Sequence, residues 1–195
     1  MLTGVWMLWT SLVGKVRERE RLLDAFAWHG TEQVLDVGCG RGLLLVGAAK
    51  RLTTGKATGI DLWRAEDLTA NRAEATRENA RIEGVADRVV IATADMRELP
   101  FPDASFDAVL SRAAIHNLDR APDRAAAVRE VARVLRPGGL ALIDDIRHLR
   151  DYESTFAAHG CGRAKRLDSS LHGLFWKVLT LGSLHPGTLL VVKDS

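Results

Sequence analysis

The stretch QVLDVGCGRG, residues 33–42, decides the fold. Gln33 to Val37 is apolar and β-prone, and it stops at the glycine cluster Gly38-Cys39-Gly40-Arg41-Gly42. A strand running into a tight loop is predicted. Leu43 to Leu52 then carries Leu44, Leu45, Ala48, Ala49 and Leu52 at spacings of three and four, which predicts a helix with one apolar face. Strand, loop and helix make half of a βαβ unit. The glycines let backbone approach a ligand closely, and the start of the helix presents unpaired amides that favour anionic groups. Such a loop alone does not single out a ligand, because dinucleotide-binding turns share it and many tight turns simply need glycine.

Working outward, the alternation continues. Lys15 to Trp28 has a helical pattern that Gly30 can end. Lys56 to Ile60 reads as a second strand ending at Asp61, Asn71 to Glu83 as a helix stopped by Gly84, and Val89 to Thr93 as a third strand ending at Asp95. Phe106 to Leu110 gives a fourth strand, and Pro122 opens a helix that runs to a break at Pro137-Gly138-Gly139. Leu140 to Ile143 makes the fifth strand. A helix from about Arg150 to His159, a strand near Arg163 to Leu167 and another at Leu189 to Val192 complete the sheet. The pattern predicts an α/β, doubly wound, mainly parallel seven-stranded sheet whose ligand site lies beyond the carboxyl ends of its strands.

The glycine loop and three aspartates fall at that edge. Asp61 stands about twenty residues beyond the loop at the end of the next strand, where a carboxylate can accept hydrogen bonds from ribose hydroxyls. A nucleoside-bearing ligand is implied. The loop has one residue between its second and third glycines where the dinucleotide fingerprint has two. Asp36, two residues before the first glycine, is badly placed for a pyrophosphate and well placed for a ligand's ammonium or sulfonium. Asp95 could accept a hydrogen bond from an adenine amino group, with Met96 packing nearby.

Composition narrows the classes. The 195 residues carry 27 Lys and Arg against 25 Asp and Glu, which does not favour nucleic acid as a partner. Cys39 and Cys161 lie far apart and suit reduced thiols in a cytoplasmic protein. The apolar opening Met1 to Val13, with Trp6 and Trp9, is shorter than the roughly 20 residues of a bilayer span and lacks the form of a secretory signal. It reads as a helix packed on the domain, with membrane contact open but not favoured. The aromatic residues there, and Phe175 and Trp176 within Leu171 to Leu184, predict that both segments shape an acceptor pocket, with plain packing or dimer contact as the alternative. His29, His148, His159, His172 and His185 show no metal-ligand spacing, and no nucleophile elbow is present.

VLDVGCGRG at Val34 to Gly42, GID at Gly59 to Asp61, ADM at Ala94 to Met96, PFPDASFDAVLS at Pro100 to Ser111 and LRPGG at Leu135 to Gly139 resemble, in order and spacing, the motifs of class I S-adenosylmethionine-dependent methyltransferases. The likeness covers Gln33 to Asp145 and is closest to small-molecule enzymes of the ubiquinone-biosynthesis-like group. It implies a Rossmann-like fold, S-adenosylmethionine as cofactor and methyl transfer to a small-molecule acceptor. By this likeness the chain is one methyltransferase domain, 1–195, with an N-terminal segment at 1–30, a cofactor-binding core at 33–145 and sheet completion at 146–195.

Carried onto matching positions, the likeness puts Gly38, Cys39, Gly40 and Gly42 around the methionine portion, with Asp36 near its cationic end. Asp61 takes the ribose, Leu62 packs on adenine, Asp95 and Met96 hold its amino edge, and Ser111 and Arg112 contribute backbone. Ser111-Arg112-Ala113-Ala114 stands where amino-group methylases carry Asn-Pro-Pro-Tyr, which disfavours that chemistry. Asp144 and Asp145 read as a solvated strand end, and no metal is expected. A hydroxyl acceptor needs a base, and His116, just after the fourth strand, is the candidate, since an imidazole with an ordinary pKa near about 6.5 takes a proton around neutrality. A histidine that only bonds its loop is the equal alternative. Two other readings stay open: a non-catalytic cofactor-binding partner subunit, and a nicotinamide-dependent oxidoreductase.

Overall fold

The computed structural model describes residues 14–64, 71–167 and 186–195. The opening Met1 to Val13 and the segment Leu171 to Leu184, expected to cap the site, lie outside the described residues. Helix α1 spans 14–23, followed by β1 (Gln33–Val37), α2 (Leu43–Ala49), β2 (Lys56–Asp61), α3 (Ala73–Ile82) and β3 (Val89–Thr93). Then come β4 (Phe106–Arg112), α4 (Ala121–Val134), β5 (Leu135–Asp145), α5 (Leu149–Ala157), β6 (Arg163–Arg166) and β7 (Gly187–Val192).

The seven strands form one sheet in the order β3-β2-β1-β4-β5-β7-β6. The pairs among β1 to β5 are parallel, and β7 runs antiparallel between β5 and β6. Alternating side chains divide the core. Leu35, Val37, Val109, Ala141, Ile143 and Val191 pack under α4 and α5, while Val34, Ala57, Ala108, Leu110 and Leu142 pack under α1 and α2. The doubly wound Rossmann-like reading holds. Strand order reverses at β1, flanked by β2 and β4, so a crevice opens above its carboxyl end.

Two of the boundaries that differ from the sequence reading have a clear physical cause. Helix α1 stops at residue 23 rather than at Trp28, because the Trp28 indole donates to the Leu23 carbonyl (2.8 Å) and the Phe26 amide takes the same carbonyl (3.2 Å), turning the chain. The Phe26 and Trp28 rings then pack against each other 5.3 Å apart. The expected break at Pro137-Gly138-Gly139 is an excursion inside β5, not its start. Leu135 already pairs with Phe106, pairing resumes at Leu140 opposite Ala108, and Gly138, at φ 76°, ties the excursion to the Lys193 carbonyl.

One close approach brings α1 to the crevice. A Cβ on Gly47 would lie 2.6 Å from Arg19 Cδ and 2.7 Å from Leu23 Cδ1, so only glycine lets α1 lie this near α2. Lys15, Val16 and Arg19 thereby reach the crevice wall. Among the described residues no helix is long and apolar enough to cross a membrane.

Candidate functional site

A cavity of about 740 Å³ opens at the carboxyl edge of β1, β2 and β4, within the size range of small-ligand sites. Its floor is the glycine loop. Gly38, Gly40 and Gly42 all have positive φ (72°, 50° and 84°), and a Cβ on Gly38 would stand 2.3 Å from the Ala114 Cβ. The loop is held from behind: the Gly38 and Cys39 amides donate to the Ile60 carbonyl, and the Thr76 hydroxyl donates to the Gly40 carbonyl (2.6 Å). Cys39 lines the cavity, and burial pushes its thiol up, so it stays protonated and is no nucleophile.

The acidic residues meet there. Asp36, 2% exposed, accepts the Leu45 amide (2.8 Å) and so caps α2 from β1. Burial raises its pKa from 3.8 to about 7, with the Asp61 charge adding to the rise and the Leu45 hydrogen bond opposing it. Asp61 Oδ2 accepts the Gly40 amide (2.9 Å), and Oδ1 accepts the Trp63 amide (2.7 Å) and the Asn71 carboxamide (3.2 Å). Leu62 and Met96 join the lining. Asp95 also reaches it, but its carboxylate is clasped by the Arg97 guanidinium (2.6 Å), which holds it below the usual carboxylate range.

At the end of β4 the residues separate. Arg112, Ala113 and Ala114 line the cavity, with Ala113 at φ 49°, a conformation rare outside glycine and one that gathers at functional sites. Ser111 is not among the lining residues. It is 1% exposed and donates to the Val37 carbonyl (2.9 Å), stitching β4 to β1. His116 is not among the lining residues, although its neighbours Asn117 and Leu118 are, and its side chain is 18% exposed.

The Asp144-Asp145 pair is not a solvated strand end. Asp145 is buried and Asp144 is part-buried, each held by hydrogen bonds. Asp144 accepts Arg112 Nε (2.9 Å) and the Thr188 hydroxyl (2.8 Å), and burial raises its pKa against both partners. Asp145 accepts His116 Nδ1 and the His116 amide (3.1 Å), the Ile146 amide (2.8 Å) and the Tyr152 hydroxyl (3.3 Å). Burial, reinforced by the Asp145 charge, pushes the Tyr152 hydroxyl up, which keeps it a donor. Sequence reasoning missed this pairing although its signal was present: β4 and β5 are neighbours, Asp145 ends β5, and His116 follows β4 by four residues. Asn71 was missed as well, because it reads as the first residue of a helix rather than as a site residue.

A methyltransferase domain model matches residues 35–143 of the chain. The chain belongs to the methyltransferase domain family. The domain is 36% identical over 132 residues to 27-O-demethylrifamycin SV methyltransferase of Amycolatopsis mediterranei, covering 66% of this chain and 44% of that one. It is 30% identical over 149 residues to the ubiquinone/menaquinone biosynthesis C-methyltransferase UbiE of Roseobacter denitrificans, covering 76% and 52%. It therefore spans about half the length of these relatives. A solved geranyl diphosphate methyltransferase in complex with S-adenosylmethionine superposes with a TM-score of 0.67 at 20% identity, covering 92% of this chain and 84% of that one, a likeness of fold. The family and fold expected from the motifs both hold. Neither the oxidoreductase nor the partner-subunit reading gains support from these matches.

Proposed function

We propose that the chain transfers a methyl group from S-adenosylmethionine to a hydroxyl of a small molecule, with His116 as the base. The pairing of His116 with a buried Asp145 carries this reading. The crevice suits the cofactor on its own terms: a glycine floor that a side chain would fill, an inward carboxylate at Asp36 without a cationic partner among its hydrogen bonds, and the Asp61 carboxylate beside them. When bound, S-adenosylmethionine supplies a methyl activated by the adjacent sulfonium charge.

The residues divide the remaining work. Gly38, Cys39, Gly40 and Gly42 seat the methionine portion, Asp36 faces its ammonium, and Asp61 takes the ribose. Leu62 packs on adenine, Asp95 and Met96 border its amino edge, and Arg112 with the strained Ala113 shapes the transfer point. Ser111 acts through the strand, by anchoring β4 to β1. Asp145 accepts four hydrogen bonds, and its claim on Nδ1–H leaves the His116 Nε2 lone pair free to take a hydroxyl proton. With the cofactor bound, the acceptor oxygen would gain its bond to the methyl carbon as that carbon's bond to sulfur breaks and S-adenosylhomocysteine leaves; His116 would take the oxygen's proton, and Asp145 would balance the resulting imidazolium. The name of the rifamycin relative specifies an oxygen acceptor, which supports this choice.

The test is to incubate the full chain with methyl-labelled S-adenosylmethionine and fractionated cell extract and to identify the labelled product by mass spectrometry. An O-methylated small molecule is expected. His116→Ala should lower turnover on it by about 10²- to 10⁴-fold while leaving S-adenosylhomocysteine affinity unchanged. Full turnover in that variant overturns the base assignment, and label found on protein or nucleic acid overturns the acceptor class.

A further inference from the structure

Asn71 precedes α3, is 8% exposed and lines the cavity. Its Nδ2 donates to Asp61 Oδ1 (3.2 Å) and to the Arg64 carbonyl (3.3 Å). Both partners only accept, so the nitrogen must face them and the carboxamide oxygen must point the other way. That oxygen is buried and has no hydrogen-bond partner among the described residues. A buried acceptor in this state is costly unless a donor reaches it, and the cavity is where a donor can come from.

The hydrogen bonds on Asp61 indicate which donor. An ionised carboxylate has about four acceptor positions. Gly40, Trp63 and Asn71 already occupy three of them, both positions on Oδ1 among the three. One position on Oδ2 remains. A ribose brings two adjacent hydroxyl donors, one more than Asp61 can take.

We infer that Asn71 is a second ribose-binding residue: its Oδ1 accepts one hydroxyl of the nucleoside diol while Asp61 Oδ2 accepts the other. This rests on the proposed cofactor and extends it to a residue that tells a ribose from a deoxyribose. The Nδ2 tether keeps the two acceptors side by side, so the pair is prepared for a diol before the ligand arrives. Just past Asp61, Trp63 holds φ 59° while its indole donates to the Thr93 hydroxyl (2.8 Å).

The experiment is calorimetry of the full chain and of Asn71→Ala with S-adenosylhomocysteine and its two analogues lacking either ribose hydroxyl. Loss of each hydroxyl should weaken wild-type binding, and Asn71→Ala should bind the parent ligand about three- to tenfold more weakly. One analogue should then bind variant and wild type alike, while the other still loses affinity in both. Asn71→Ser, which is too short to reach the same hydroxyl, should repeat the pattern and replaces the alanine variant if that fails to fold. A variant that binds the parent ligand as wild type does overturns the assignment, as does one equally sensitive, or equally insensitive, to loss of either hydroxyl. Absence of any binding to wild type refutes the cofactor reading itself, a result distinct from all of these.

Discussion

Replacing Asp36 by Asn removes a charge from a place where charge is expensive and keeps the geometry, since the amide oxygen can still accept the Leu45 N–H. Burial lifts the Asp36 pKa from 3.8 to about 7. Between those two values the unfolded chain has released the proton while the native protein keeps it. The native state binds more protons, so its stability falls as pH rises through this window and levels off above about pH 7. At 1.36 kcal/mol for each pH unit, the span amounts to about 4 kcal/mol. Asp36→Asn lacks this loss. Its stability relative to wild type should therefore rise from near equality at about pH 4 to an advantage of about 4 kcal/mol at pH 8. Urea unfolding followed by circular dichroism at half-unit pH steps measures the difference. A gap that stays constant with pH, or one that favours wild type increasingly as pH rises, would refute the reasoning. Binding supplies a second readout: wild-type affinity for S-adenosylhomocysteine, whose ammonium Asp36 faces in the proposed site, should climb through the same pH range and stay flat in the variant.

Asp61→Ala should weaken S-adenosylhomocysteine binding by about ten- to a hundredfold in calorimetry, the worth of one charge-assisted hydrogen bond, and an unchanged affinity would remove Asp61 from the ribose site. Gly47→Val puts a side chain where 2.6 Å separates a Cβ from Arg19 Cδ, and should cost about 1–3 kcal/mol in urea unfolding while displacing Lys15 and Arg19 from the cavity wall. Wild-type stability in that variant would show that α1 yields freely. Tyr152→Phe deletes one of four donors to Asp145, and should reduce turnover on an identified hydroxyl acceptor with KM for S-adenosylmethionine unaltered. An equal change in both constants would assign Tyr152 to packing instead.

The sheet was legible because its periodicity is local. The bounds of β1 and β3 coincide with the sequence reading, and each of the seven strands overlaps the stretch that reading gave it. Asp36, Asp61 and Asp95 were likewise readable, since a residue at the end of a parallel strand must emerge at the ligand edge. Partnerships across the chain were not. Asp145 reads as one of two neighbouring carboxylates, and its burial depends on His116, 29 positions earlier, and on Tyr152 folding back from α5. The depth of Ser111 comes from its register against β1, which places its hydroxyl under Val37 rather than in the cavity. Trp28 ended α1 early through its indole, a side-chain choice that a helical pattern does not register.

Strand β7 lies between β5 and β6, so the sheet closes out of chain order. During synthesis β1 to β5 emerge with their helices and can assemble into the cofactor edge, yet one side of β5 stays bare until residues 187–192 leave the ribosome. A bare edge strand invites pairing with another chain, which makes this interval the one in which a nascent chain is most exposed to aggregation. Asp144 and Asp145 end that same edge, with Thr188 and Gly187 opposite them. The β7 residues thus hold Asp144, the neighbour of the carboxylate that pairs with His116. A chain halted before them would carry a nearly finished cofactor cradle beside a bare β5 edge.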